Sequence, residues 1–231
     1  MKKKKKSTIK RLKKALTKVI NRLGEEFRNR SEYGFIYVIF SAIVIVLCLI
    51  NFVELFKHCF FQLCKVFKKD ICRKAACNWA IDLFIVLKFI FVTLSVFLPE
   101  NPMIFWIVLY LLIMNVFTYF YHHVWKKPND NSSHWQIRRF VTLILAIAFN
   151  ILCYVYLYWN GLARFIQWHD NSLLTLLNVF QYSISNTFLL PSCLSIVNPF
   201  GFYLQTTQQI ISFIFLAIIL NQSIPQPRKE D

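Results

Sequence analysis

The residues best suited to do chemistry sit in the last third of the chain and carry no charge. Gln205, Gln209 and Ser212 recur at i, i+4 and i+7 within an apolar run, so a helix there puts them on one face, flanked by Thr206 and Gln208. At membrane depth, amides and hydroxyls prefer a water path or a neighbouring helix to lipid; at an outer interface the same residues would need no such explanation. Just upstream, Ser185, Asn186, Thr187 and Ser192 are interleaved with Leu189, Leu190 and Leu194. That mixture suits the lining of a path more than the making of bonds.

The ionisable residues give weaker signals. Asp82 and Lys88 lie inside another apolar run, where an ionisable group is a functional candidate by default. Six positions separate them, so they point to different faces, and an assembly or structural role comes first. Asn115 and Asn150 read as interhelical hydrogen-bond partners. Cys59, Cys64, Cys72 and Cys77 share one segment with His58, but their pairs are spaced wider than most zinc pairs, which favours reduced thiols. His122 and His123 are adjacent and diverge on a helix, so they read as interfacial anchors. There is no Ser-His-Asp set, nucleotide loop or pair of carboxylates, and His169-Asp170 stands without partners in sequence. We therefore expect no enzyme, no cofactor and no metal.

The elements that must position these residues are membrane helices. Of 231 residues 57% are hydrophobic, with 24 Phe and only 4 Gly, and the mean hydropathy is +0.47. The apolar runs are continuous and about twenty residues long, the length of a spanning helix, where a barrel would alternate over about ten. The fold class expected is all-α and polytopic. Strong spans run over Gly34–Phe56, Trp79–Leu98, Met103–Val124 and Phe140–Trp159, and a last apolar helix covers Phe202–Leu220. Pro99-Glu100-Asn101-Pro102 is a tight turn that makes the second and third spans an antiparallel hairpin. Leu173–Phe188 is apolar and amphipathic but too short to span.

The net charge of +16 is clustered rather than spread. No nucleic-acid motif accompanies it, so anionic lipid is the expected partner and nucleic acid is not. Residues 2–30 read as a basic amphipathic arm on the inner leaflet, or as a solvated basic tail. Lys57–Cys77 and Trp125–Arg139 are rich in Lys and Arg, whereas the Pro99–Pro102 turn has none and Gly161–Gly201 only Arg164. By the positive-inside rule the basic loops and the C-terminal tail face the cytoplasm, and the turn and the 161–201 region face outside. The first apolar segment breaks the pattern, being basic on both flanks, and either spans or lies in the interface. The organisation expected is an arm (1–33), a first apolar segment (34–56), a basic Cys-rich loop (57–77), a transmembrane hairpin (78–125), a C-terminal module (138–222) and a polar tail (223–231).

The module carries a family resemblance. Phe180-Gln181-Tyr182-Ser183-Ile184-Ser185-Asn186-Thr187 resembles the pore-helix signature of bacterial two-helix-pore potassium channels, and Ile196-Val197-Asn198-Pro199 stands about where that family has its post-filter Pro. The resemblance implies an outer helix over Arg138–Tyr158, a re-entrant pore helix, and an inner helix over Gln205–Leu220. It implies filter-like positions at Ser185, Asn186, Thr187, Leu189, Leu190, Ser192 and Leu194. It also implies a homo-oligomer, a tetramer if channel-like, in the inner membrane. The family's Gly-Tyr-Gly-Asp filter is missing: no Gly lies between Gly161 and Gly201, and the filter position reads Leu189-Leu190-Pro191-Ser192-Cys193-Leu194. A ring of stacked carbonyls needs backbone shapes other residues resist. The reading is an oligomeric channel without potassium selectivity, gated by dewetting at Leu189, Leu190 and Leu194. The alternatives are a non-conducting sensor or scaffold acting with a soluble partner protein, and a helical bundle whose likeness is accidental.

Overall fold

The computed structural model describes residues 73–121 and 133–223, together with isolated positions between 39 and 60. The chain divides into two compact units, Met1–Phe52 and Val53–Asp231. In the first unit the described positions Ile39, Ile43, Val44, Val46 and Leu47 are helical. The basic arm, most of the first apolar segment, Cys59, Cys64 and Cys72 of the basic loop, the His122-His123 pair and the C-terminal tail beyond Ser223 lie outside the described residues, while Cys77 falls within the helix Arg73–Phe97.

The second unit is helical. Helix α1 covers Arg73–Phe97, α2 Pro102–Phe120, α3 Ser133–Tyr156, α4 Leu176–Phe188 and α5 Pro199–Ser223. Four stretches among the described residues are long and apolar enough to cross a membrane: Trp79–Phe97, Pro102–Phe120, Phe140–Gly161 and Pro199–Ile219. The chain thus has the build of a multi-pass membrane protein. Its outward faces are apolar, with Val86, Ile90 and Leu94 on α1, Trp106 on α2 and Phe213 on α5 all exposed. Lipid is as apolar as leucine, so burial alone gives such helices little reason to associate. Close packing and interhelical hydrogen bonds must supply it.

Those bonds are present. Asn101 caps α2 by accepting from the Met103 N–H at 2.8 Å, and Pro102 occupies the first turn, where a missing donor costs nothing. This is how the Pro99–Pro102 turn reverses the chain. At the same end of the bundle, α3 runs on into a π turn, Leu157–Gly161. The turn presents Asn160, whose Nδ2 donates to the carbonyls of Ser95, Val96 and Leu98 at 3.2, 2.8 and 2.9 Å. One amide thereby reaches three carbonyls at and just past the C-terminus of α1, where helical donors run out. Halfway along α1, Lys88 Nζ donates to Asn115 Oδ1 at 2.7 Å and lies 4.2 Å from the centre of the Phe149 ring. Asn115 Nδ2 in turn donates to the Ala146 carbonyl at 3.0 Å. A chain of two hydrogen bonds and a cation–π contact so joins α1, α2 and α3. Asn150, expected to do the same work, does not: it is fully buried and neither amide atom has a partner.

The core has two parts. One is aromatic and joins α3, α4 and the following loop: Tyr158, Trp168 and Tyr182 meet edge to face, with centroids 5.1 to 6.1 Å apart. Such pairs contribute about 0.5–1.5 kcal/mol each beyond area burial. The other joins α2, α3 and α5 through Tyr119, Leu143, Ala146, Phe215 and Ile218.

Candidate functional site

The site is built around α4, which has 13 residues. At about 1.5 Å per residue it is some 20 Å long, short of the roughly 30 Å that a bilayer core demands. Thr175 starts it, accepting from the Asn178 N–H at 3.2 Å, and Asn178 Nδ2 reaches back to the Leu173 carbonyl at 2.6 Å. It stops at Leu189, which takes a left-handed conformation (φ 57°, ψ 36°). The N–H groups of Leu189 and Leu190 then both close on the Ser185 carbonyl, the latter at 2.7 Å. Glycine is usual at such a stop, and a leucine there carries backbone strain.

What holds α4 in place is Gln208, which has no exposed surface. Its Nε2 lies 2.9 Å from three acceptors on α4: the Ser183 carbonyl, Ser183 Oγ and Thr187 Oγ1. Its Oε1 accepts from the Tyr158 hydroxyl at 3.0 Å and from Asn186 Nδ2 at 2.8 Å. Ser183 Oγ donates to the Ile151 carbonyl of α3 at 3.0 Å. Gln209 Nε2 donates to Asn186 Oδ1 at 2.9 Å, and Asn186 Nδ2 also reaches the Gln205 carbonyl at 3.2 Å. One buried amide thus joins α3, α4 and α5. Ile151 and Gln208 each lie within one residue of the midpoint of their apolar stretch, Phe140–Gly161 and Pro199–Ile219. The second half of α4 therefore meets both long helices halfway along their length.

Both ends of the α4 excursion are tied together. Residues 165–169 and 195–198 pair as a short antiparallel bridge: His169 N–H to the Ser195 carbonyl and Val197 N–H to the Gln167 carbonyl, both at 2.9 Å. Asn198 completes the clasp, accepting from the Gln167 N–H at 3.1 Å and donating to the Phe165 carbonyl at 2.7 Å. Gly201 packs beneath, and a Cβ there would run into the Ile196 and Asn198 side chains. Asp170 serves the same loop by capping Ser172, whose hydroxyl and N–H hold its carboxyl below the usual carboxylate range.

A cleft of about 410 Å³ opens at the C-terminal end of α4. Ser185, Asn186, Leu189 and Leu190 line one side, Ser192 and Leu194 the return strand, and Gln205 and Gln209 the α5 side. Tyr182, Ser195, Ile196 and Phe202 complete it. Eight of the positions singled out in the sequence meet here. Two do not. Thr187 is buried behind the cleft, its hydroxyl donating to the Ser183 carbonyl at 2.9 Å, and Ser212 is buried and donates to the Gln208 carbonyl at 2.8 Å. Leu194 borders the cleft but is only 3% exposed, a core residue rather than part of an opening. Lys88 belongs to the α1–α2–α3 contact, and Asp82 is an exposed residue of α1.

Sequence reasoning gave Gln208 only a flanking place and Tyr182 no role of its own. A signal existed for the first: Gln208 and Ser212 are four apart, as are Gln205 and Gln209, so two adjacent polar stripes run along α5. Among the described residues no group of His, Cys, Asp and Glu could hold a metal. Comparison with family models, curated proteins and solved structures finds no match, so what the site does must be argued from its own geometry.

Proposed function

We propose that this chain is the subunit of an oligomeric pore-loop membrane protein whose path is not potassium-selective. The observation that carries the reading is the seating of α4. A helix too short to cross is held by Gln208 at half-depth between two helices long enough to cross. In this reading α4 is re-entrant, and the clasp of residues 165–169 on 195–198 brings the chain in and out on one side. Irregular backbone at that depth is tolerated where protein buries it or where it lines a water-filled cavity, and the cleft supplies the second condition. Leu189 and Leu190, 58% and 57% exposed at its mouth, act as the dewetting gate. Leu194 stands behind them as packing. One unit provides one wall, so the pore is completed by further copies, four by analogy with the family resembled. The positive-inside pattern puts the cleft on the outer side of a cell inner membrane, with the basic arm on anionic lipid.

The test is reconstitution of purified protein. The expected results are an assembly of four 27.5 kDa chains and monovalent ion flux into liposomes that rises about tenfold or more when Leu189→Ser and Leu190→Ser wet the gate. A monomer under conditions that preserve membrane complexes would sink the reading. A tetramer silent even with both serines would favour the second reading, a non-conducting sensor or scaffold acting with a soluble partner. The apolar pair at the cleft mouth, which would seal rather than conduct, is the observation on its side.

A further inference from the structure

We infer that the cleft at the end of α4 binds an uncharged amphiphile drawn from the bilayer, with a hydroxyl or amide head and a hydrocarbon tail. This rests on the reading of α4 as re-entrant, which sets the cleft at acyl-chain depth.

The first support is hydrogen-bonding capacity that the chain does not use. The Tyr182 hydroxyl is buried without a partner, a situation native proteins rarely leave unanswered. Gln205 engages only its backbone carbonyl, leaving its side-chain amide free for a ligand. Gln209 gives its nitrogen to Asn186 and keeps its carbonyl. Two side-chain amides of the cleft therefore have capacity to spare, while the Tyr182 hydroxyl, though unpartnered, has no surface open to it. The second support is charge: none of the twelve lining residues is charged. An ionised head would be desolvated without a counter-charge, whereas a hydroxyl or amide would not. The third is the rest of the lining. Phe202 borders the cleft and is 50% exposed, so its apolar wall continues past the Leu189–Leu190 gate onto the outer surface where lipid lies. The volume of about 410 Å³ falls in the range of small-molecule sites, roughly 300–1,000 Å³. The head then sits between Gln205 and Gln209, and the tail passes Phe202 to the acyl chains. Bound there, it would lie against the Leu189–Leu190 pair.

The experiment photolabels the full chain in phosphatidylcholine nanodiscs with a long-chain primary alcohol bearing a diazirine, then maps adducts by mass spectrometry. Adducts should concentrate on residues 185–196 and 202–209. They should fall about fivefold with Gln205→Ala, the loss of one hydrogen bond, and more with Leu190→Trp, which fills the mouth, while labelling of α1 stays constant. Labelling no denser than on α1, or unmoved by both variants, or equal with the matching carboxylate at pH 8, would overturn the proposal. A parallel arm separates this failure from that of the re-entrant reading. Phe188→Cys, on α4 outside the cleft lining and 50% exposed, in a Cys193→Ser background is treated with a membrane-impermeant thiol reagent. Full reaction would mean that α4 is not at membrane depth; protection without photolabelling would sink the amphiphile alone.

Discussion

Replacing Gln208 by leucine should release α4 from the two long helices while leaving those helices intact. The substitution keeps the volume nearly constant, so the effect is that of the lost hydrogen bonds. The Tyr158 hydroxyl, in a residue 1% exposed, loses its acceptor. An orphaned buried group of this kind costs about 1–3 kcal/mol. Asn186 keeps its bond to the Gln205 carbonyl, and Ser183 and Thr187 keep the bonds they donate, so each loses only a partner it can spare. Cross-helix bonds of that sort are worth about 0.6 kcal/mol apiece in membrane bundles. The sum is about 3–5 kcal/mol, measured by titrating reconstituted protein in mixed micelles with a denaturing detergent. Tyr158→Phe removes the costliest orphan, so Gln208→Leu made on that background should cost about 1–3 kcal/mol less than on the wild type. If Gln208→Leu lies within about 0.5 kcal/mol of wild type, the hub does not hold α4; if the two changes simply add, Tyr158 and Gln208 are not partners.

Three further outcomes follow from local geometry. Leu189→Gly should stabilise by about 0.5–1 kcal/mol, because glycine adopts the left-handed value without the 1–2 kcal/mol that a Cβ adds there, less its greater chain entropy; the same detergent titration reads it. Gly201→Ala should destabilise by about 1–3 kcal/mol and leave the 165–169 loop more accessible to protease, since the new methyl displaces Ile196 and Asn198 from the clasp. Lys88→Met should change stability by no more than about 1 kcal/mol, whereas Asn115→Leu, which leaves the ammonium buried without that acceptor, should cost about 3 kcal/mol or more; the reverse order would refute the α1–α2–α3 relay.

The long helices were legible because twenty apolar residues in a row permit little else, and the observed ends differ by a few residues where helices continue into polar flanks. Helix α3, for instance, begins at Ser133, upstream of the apolar run at Phe140. The short α4 was legible from its length and its Pro-rich exit, but its stop was not, because nothing in a Leu-Leu pair announces a left-handed residue. The polar stripe on α5 was drawn through Gln205, Gln209 and Ser212, and Gln209 does reach Asn186 on α4, yet the buried hub of the contact is Gln208. Helical periodicity allows either stripe, and only Ser183 and Thr187 on the facing helix decide between them. Asn150 and Asn115 look alike in sequence, but a partner within reach distinguishes them, and reach is a tertiary property. The clasp of 165–169 on 195–198 joins two irregular segments far apart in sequence, which no local pattern reveals.

The π turn at the end of α3 makes that helix sensitive to length in a way its neighbours are not. A π turn holds one residue more than an α turn in the same rise, so deleting a single residue within Leu157–Gly161 would let α3 run on as a regular helix. Everything beyond the deletion would keep its direction, because the wide turn had already absorbed the extra residue. An insertion at the same point has no such outlet, since the turn already carries its extra residue, and it would swing the chain beyond it by about 100° around the axis. Asn160 would then leave the α1 carbonyls, while Tyr158, upstream of an insertion before Trp159, would keep its place against Gln208. A one-residue insertion there should uncouple the α1–α2 hairpin from the C-terminal module without unfolding either, where a one-residue deletion is tolerated. Hairpin and module are therefore joined by a register of a single amino acid.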